Sequence, residues 1–92
     1  MNLRSYAKGK PCMIRIPGIC NHDPETTVLA HIRMPGISGT GKKAPDLLGS
    51  WACSDCHTYV DSRRNDRDQL AFMHGVMRTQ YQLLRDGVLK LP

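Results

Sequence analysis

Four cysteines constrain this chain more than any other feature: Cys12, Cys20, Cys53 and Cys56 within 92 residues. A domain of this length buries too little apolar surface to be more than marginally stable, so a staple is expected. The two pairs are separated by 32 residues, and the second has the tight C-x2-C spacing. Such pairs suit a tetrahedral tetrathiolate zinc ion, Zn2+, whose closed coordination sphere leaves no open position and makes the site structural. Zinc binding would couple to folding and offset the entropy of ordering the long segment between the pairs. The competing reading, four buried or reactive free thiols, stays open because the first pair has an unusual seven-residue spacing.

The compartment bears on the same question. No segment reaches the roughly 18 uninterrupted apolar residues of a membrane span, and the first dozen residues carry charges but no apolar run suited to a signal peptide. The expectation is a single domain over residues 1–92, cytoplasmic and without a membrane, where thiols favour metal over disulfide bonding. The formal charge is +5. Four thiolates around one zinc ion change it to 5 − 4 + 2 = +3, still basic. Arg33, Lys42 and Lys43 sit in or beside a loop, and Arg63, Arg64 and Arg67 precede the last helix. That distribution favours a polyanionic partner such as nucleic acid, with solvating surface charges an equally open reading on composition alone.

Along the chain, residues 1–11 are polar and expected to be loosely ordered. Met13–Ile16 alternates as a short strand would, and Pro17-Gly18 turns it between the first two cysteines. Thr26 to Ile32 reads as a second strand. Residues 35–49, rich in glycine, proline and lysine, form a long loop, of the kind that commonly carries function. Ser54 is placed to cap a short helix through about Arg63. Asp66 or Asp68 opens a long helix to about Arg85, ended by Gly87. Its apolar residues Leu70, Met73, Met77, Tyr81 and Leu84 recur at helical spacing and are expected to be its packing face.

Two motif matches fail on inspection. Cys53-Ser54-Asp55-Cys56-His57 fits the C-x-x-C-H of covalent haem attachment. That chemistry belongs to exported proteins, and it leaves Cys12 and Cys20 without a purpose. Residues 36–43 imitate a phosphate-binding loop, but Lys43 stands where a hydroxyl should bind magnesium, and neither a buried strand nor a good helix flanks it. The segment reads instead as a basic loop whose amides and lysines could touch phosphates.

Of four histidines, His22 and His74 read as structural. His31 ends the second strand just before the basic loop, and His57 directly follows a cysteine at the start of the short helix. A zinc site pinning that helix against the strand would place both imidazoles on one small cleft. Asp61, four residues after His57, shares its helical face, a spacing suited to two ligands of one divalent ion.

A strand ending in histidine, a loop, then C-x-x-C-H opening a helix resembles the HNH, or His-Me finger, endonucleases with a zinc-stabilised ββα-metal core. The segments around Cys20, His31, Gly39, Asp46 and Cys53–His57 also look like the YbcO-like nuclease family of prophages and phages, over about residues 4–90. The resemblance implies an α+β domain, a small zinc-stabilised ββα-metal finger with an additional C-terminal helix, in a phage- or prophage-encoded protein acting in a bacterial host. It implies a metal-dependent endonuclease that hydrolyses DNA phosphodiester bonds. His31 matches the catalytic base. His57 matches the metal-binding histidine, holding Mg2+ or another divalent ion, and Asp46 sits where an orienting polar residue is expected. The sequence departs from many HNH motifs at Ala30, where a metal ligand commonly precedes the base; the expectation is either that Asp61 or a loop residue replaces it or that the ion is held chiefly by His57, water and substrate phosphate.

Two other readings follow from the same residues. One is a non-catalytic zinc-binding module that binds DNA through its basic face, with Ala30 in its favour. The other is an accessory protein whose Met-rich helix docks onto a protein partner, which requires Met73, Met77 and Tyr81 to be exposed.

Overall fold

The computed structural model describes residues 2–39, 41–63 and 65–91. The chain forms α1 (Leu3–Tyr6), β1 (Val28–His31), β2 (Gly49–Ala52), α2 (Ser54–Ser62) and α3 (Asp66–Arg85), with single 3-10 turns at Pro24–Thr26 and Asp46–Leu48. It is a small α+β fold built on a two-stranded antiparallel sheet.

The register pairs Leu29 with Trp51, Ala30 with Ser50 and His31 with Gly49. Successive strand residues point to opposite faces, so the sheet separates two cores. Leu29 and Trp51 join Ala7, Met13 and Leu83 on one side. On the other, Ala30 and Ala52 meet Ile14, Ile32, Cys53, Cys56, Val60, Phe72 and Val76. β2 is buried along its whole length. Its Trp51 amide donates to the Thr79 hydroxyl of α3 at 3.0 Å, and its Trp51 carbonyl accepts from Met13 N at 2.8 Å. Both backbone groups that β1 leaves free are thereby satisfied.

Where the sequence suggests a strand over Met13–Ile16, the chain instead bends. Met13, Ile14 and Ile16 are all buried, a pattern that strict alternation cannot give. Arg15 adopts φ 57°, and its Nε bonds back to the Cys12 carbonyl at 3.2 Å. In the first eleven residues, Asn2 caps α1 by accepting from Arg4 N at 2.9 Å, and Ala7 is fully buried.

α2 and α3 occupy the spans that the sequence suggests, with different caps. The Cys53 sulfur, not Ser54, caps α2 by accepting from Cys56 N at 3.4 Å. Asn65 caps α3 by accepting from Asp68 N at 2.9 Å. The packing face of α3 is corrected outright: Leu70, Met73, Met77, Tyr81 and Leu84 are exposed, whereas Phe72, Gly75, Val76, Thr79 and Leu83 are buried. Gly75 permits this phase. A Cβ there would strike the Ser50 hydroxyl and come within 3.0 Å of Ile14 Cγ1, so the helix lies closer to the sheet than any side chain at 75 allows.

Candidate functional site

The cysteines from the two ends of the sequence separation converge. One ligand atom from each of Cys12, Cys20, Cys53 and Cys56 lies within 4.8 Å of the others. Cys20 Sγ and Cys53 Sγ are 3.9 Å apart, close to the edge of about 3.8 Å that four sulfurs at about 2.3 Å from one zinc would define. Asn21 ties this corner together, donating to Ser54 Oγ at 3.2 Å and Thr26 Oγ1 at 3.3 Å. Burial pushes the Cys56 thiol far above its ordinary pKa, so a thiolate there needs a cation beside it. The four side chains could hold a metal ion such as zinc.

A second centre forms where β1 ends. Ile32 N donates to the Leu48 carbonyl at 3.0 Å, extending the sheet by one bond beyond the His31–Gly49 pair. That bond draws the 3-10 turn beginning at Asp46 alongside His31. His31 Nε2 and Asp46 Oδ1 are 2.6 Å apart. The hydrogen bond from His31 holds the Asp46 carboxyl below the usual carboxylate range; burial opposes it, and the His31, Arg4 and Lys43 charges each add a smaller lowering.

Across the same cleft α2 presents His57 and Asp61. His57 Nε2 lies 3.3 Å from Asp61 Oδ2, near the roughly 2.9 Å separating adjacent donors on one ion with bonds of about 2.0–2.1 Å. Arg33 Nε approaches the other Asp61 oxygen at 3.9 Å. The cleft has a volume of about 990 Å³ and is lined by His31, His57 and Asp61 together with Arg33, Lys42 and Lys43. Among the described lining residues four cations, Arg4, Arg33, Lys42 and Lys43, outnumber the Asp61 carboxylate and the Asp46 carboxylate bonded to His31, so the potential is suited to a phosphate.

Ala30 does not face this cleft. It is fully buried in the core, while Leu29 and His31, on the opposite face of the strand, line the opening. Arg63 and Arg67 are exposed but not among the lining residues. Arg63 stacks over Tyr59 instead, its guanidinium carbon 5.0 Å from the ring centroid. Arg64 lies outside the described residues.

Arg4 is the site residue that the sequence reading missed. It reaches the cleft from α1, with Nε 3.9 Å from Asp46 Oδ2. The available signal was Asn2, a good N-cap two residues earlier. His22 also sits nearer chemistry than expected, with Nδ1 3.6 Å from Cys20 Sγ.

Comparison with known proteins gives a consistent result. The family model described as "Putative nuclease YbcO" matches residues 1–88. The Escherichia coli K12 protein of that description is 47% identical over 93 aligned positions, covering 97% of both chains. A protein of enterobacteria phage 82 with the same description matches equally. A solved structure, described as that of "a putative bacteriophage protein" from E. coli K-12, superposes with a TM-score of 0.76 at 41% identity, covering 94% of this chain and all of that one.

Proposed function

Because this chain belongs to the YbcO nuclease family, we propose that it is a metal-dependent endonuclease of the HNH type that hydrolyses DNA phosphodiester bonds at the cleft between β1 and α2. The observation that carries this reading is the shared cleft, in which a histidine paired with a carboxylate faces a second histidine–carboxylate pair amid basic side chains.

His31 is the general base. The Asp46 carboxylate accepts a hydrogen bond from Nε2–H, which fixes the tautomer and leaves the Nδ1 lone pair to take a proton from water. Arg4, paired with the other Asp46 oxygen, keeps that carboxylate oriented. Arg33, Lys42 and Lys43 receive the non-bridging phosphate oxygens and hold the scissile group near His31. Leu29 and Ile32 supply the apolar wall of the opening.

His57 and Asp61 are the residues that would hold Mg2+ or another divalent ion. When bound, the ion would supply positive charge for the pentacovalent phosphate and the departing 3′-oxygen. Asp61 takes the part that a residue before the base plays in many HNH motifs, since Ala30 points into the core. Zn2+ at Cys12, Cys20, Cys53 and Cys56 is structural in this reading. It fixes the start of α2, and the His57 amide, bonded to the Cys53 carbonyl at 2.9 Å, follows that start.

The sequence carries no motif that reads base edges, so in this reading recognition runs through phosphates and DNA shape. The test is nicking of supercoiled plasmid with magnesium, manganese, zinc or chelator. Ion-dependent nicking supports the reading, whereas salt-sensitive binding with no nicking under any ion replaces it with a non-catalytic DNA-binding module.

A further inference from the structure

α3 carries two apolar faces, and the monomer uses one. Phe72, Val76 and Leu83 enter the core, while Leu70, Met73, Met77, Tyr81 and Leu84 are 51, 46, 66, 62 and 40% exposed. At about 100° per residue these five lie within about 40° of the direction of Met77, forming one straight stripe. Their order is symmetric about Met77, with neighbours four residues away on either side (Met73, Tyr81) and seven residues away on either side (Leu70, Leu84).

A stripe symmetric about its own centre is self-complementary when a second copy lies antiparallel across a two-fold axis. Met77 then meets Met77, Met73 meets Tyr81, and Leu70 meets Leu84, with sulfur against aromatic ring at two of the contacts. Charge selects the same direction. The helix starts with Asp66 and ends with Arg85, whose guanidinium carbon lies 5.8 Å from the Tyr81 ring centroid at the stripe's edge. In that register Asp66 of each copy lies opposite position 88, about one turn from Arg85 of the other, with Arg67 next to Asp86 of the other, and the antiparallel helix dipoles are opposed, whereas parallel packing sets Asp66 on Asp66.

We propose that the exposed face of α3 is a homodimer interface, in which two copies pair antiparallel about Met77. A single pair of helices about 30 Å long buries less than the roughly 800 Å² per partner of a standard interface, so the dimer is a weak, concentration-dependent one. The inference does not depend on the nuclease reading. If both hold, the particle presents two clefts related by a two-fold axis, the symmetry of an antiparallel duplex.

Sedimentation equilibrium of the zinc-loaded protein over about 5–200 µM tests self-association. The wild type is expected to shift from monomer to dimer. Met77→Lys, at a position exposed in the monomer, is expected to remain monomeric with an unchanged circular dichroism spectrum. A benzoylphenylalanine in place of Leu70 tests direction: photo-crosslinks mapped to the region of Leu84 in the second copy support the two-fold arrangement. A wild type that stays monomeric throughout, a dimer that survives Met77→Lys, or crosslinks from position 70 to position 70 overturns the proposal. The monomeric result would leave the face to a different protein.

Discussion

His31 Nε2 and Asp46 Oδ1 lie 2.6 Å apart, joining the end of one strand to the turn that begins the other. Fifteen residues of sequence separate them, and the strand register brings them together. Replacing Asp46 with Asn keeps the shape and removes the charge that fixes the imidazole tautomer. The expected outcome is a fall in cleavage rate of about 10²-fold to 10⁴-fold with DNA affinity retained, measured by single-turnover nicking and filter binding. Unchanged cleavage would remove Asp46 from the mechanism.

The same pair sets a pH dependence of stability. The Asp46 carboxyl is held below its ordinary pKa, first by the hydrogen bond from His31. Folding therefore binds fewer protons at this group than the unfolded chain does. Its contribution is present above the ordinary aspartate range and is lost as pH falls through the lower folded value. The difference in Tm between wild type and Asp46→Asn should be present at neutral pH and shrink as pH falls through and below the aspartate range. A difference that persists unchanged below the aspartate range would contradict a carboxylate stabilised by the His31 hydrogen bond.

Metal analysis is expected to give about one zinc per chain. Structural zinc supplies about 10–16 kcal/mol in small metal-folded peptides, comparable to the entire stability of a domain of about 5–15 kcal/mol. Cys53→Ser combined with Cys56→Ser should therefore abolish the cooperative thermal transition. A double variant that loses zinc yet melts like wild type would contradict the staple.

Gly75→Ala tests the packing of α3 on β2. The added methyl meets Ser50 Oγ and lies 3.0 Å from Ile14 Cγ1, an overpacking that costs about 1–3 kcal/mol. For a chain of this size each kcal/mol lowers Tm by about 4–8 °C. A rise in Tm, as expected for a solvent-facing helical glycine, would place the buried face elsewhere.

Much of this structure was legible in the sequence, and its failures share a physical cause. The span of α3 followed from periodicity and its end signals, because those are local. Its phase did not. Leu70, Met73 and Met77 look more like a core than a face made partly of Gly75, Thr79 and Asp68. Yet Gly75 allows the close approach, the Thr79 hydroxyl serves the Trp51 amide, and Asp68 is satisfied by Asn65 Nδ2 at 2.7 Å. Polar and small residues bury well when tertiary partners are waiting, and a single sequence does not display those partners. The bend at Arg15 escaped for a related reason, since its positive φ is stabilised by bonds made within the folded chain. The cysteine cluster was readable because metal spacing is a property of the sequence. His31, His57 and Asp61 were brought to the same cleft as expected, whereas Arg4 was hidden in a segment with too little periodicity to suggest an element.

Lys42 and Lys43 face the cleft from the basic loop. Replacing both with Ala should weaken DNA binding similarly across sequences and flatten the plot of log affinity against log salt by about 0.9 for each phosphate that is no longer neutralised. An unchanged slope would mean that DNA phosphates are neutralised by side chains outside this loop.

The central claim is that His31 performs the chemistry. The direct measurement is nicking of supercoiled plasmid by wild type and His31→Ala, with magnesium or manganese present and with chelator, alongside zinc content and DNA affinity. The account predicts ion-dependent nicking by the wild type and its loss in His31→Ala, with zinc and affinity nearly intact. Equal nicking by the two proteins, or none by the wild type under any ion, would contradict it.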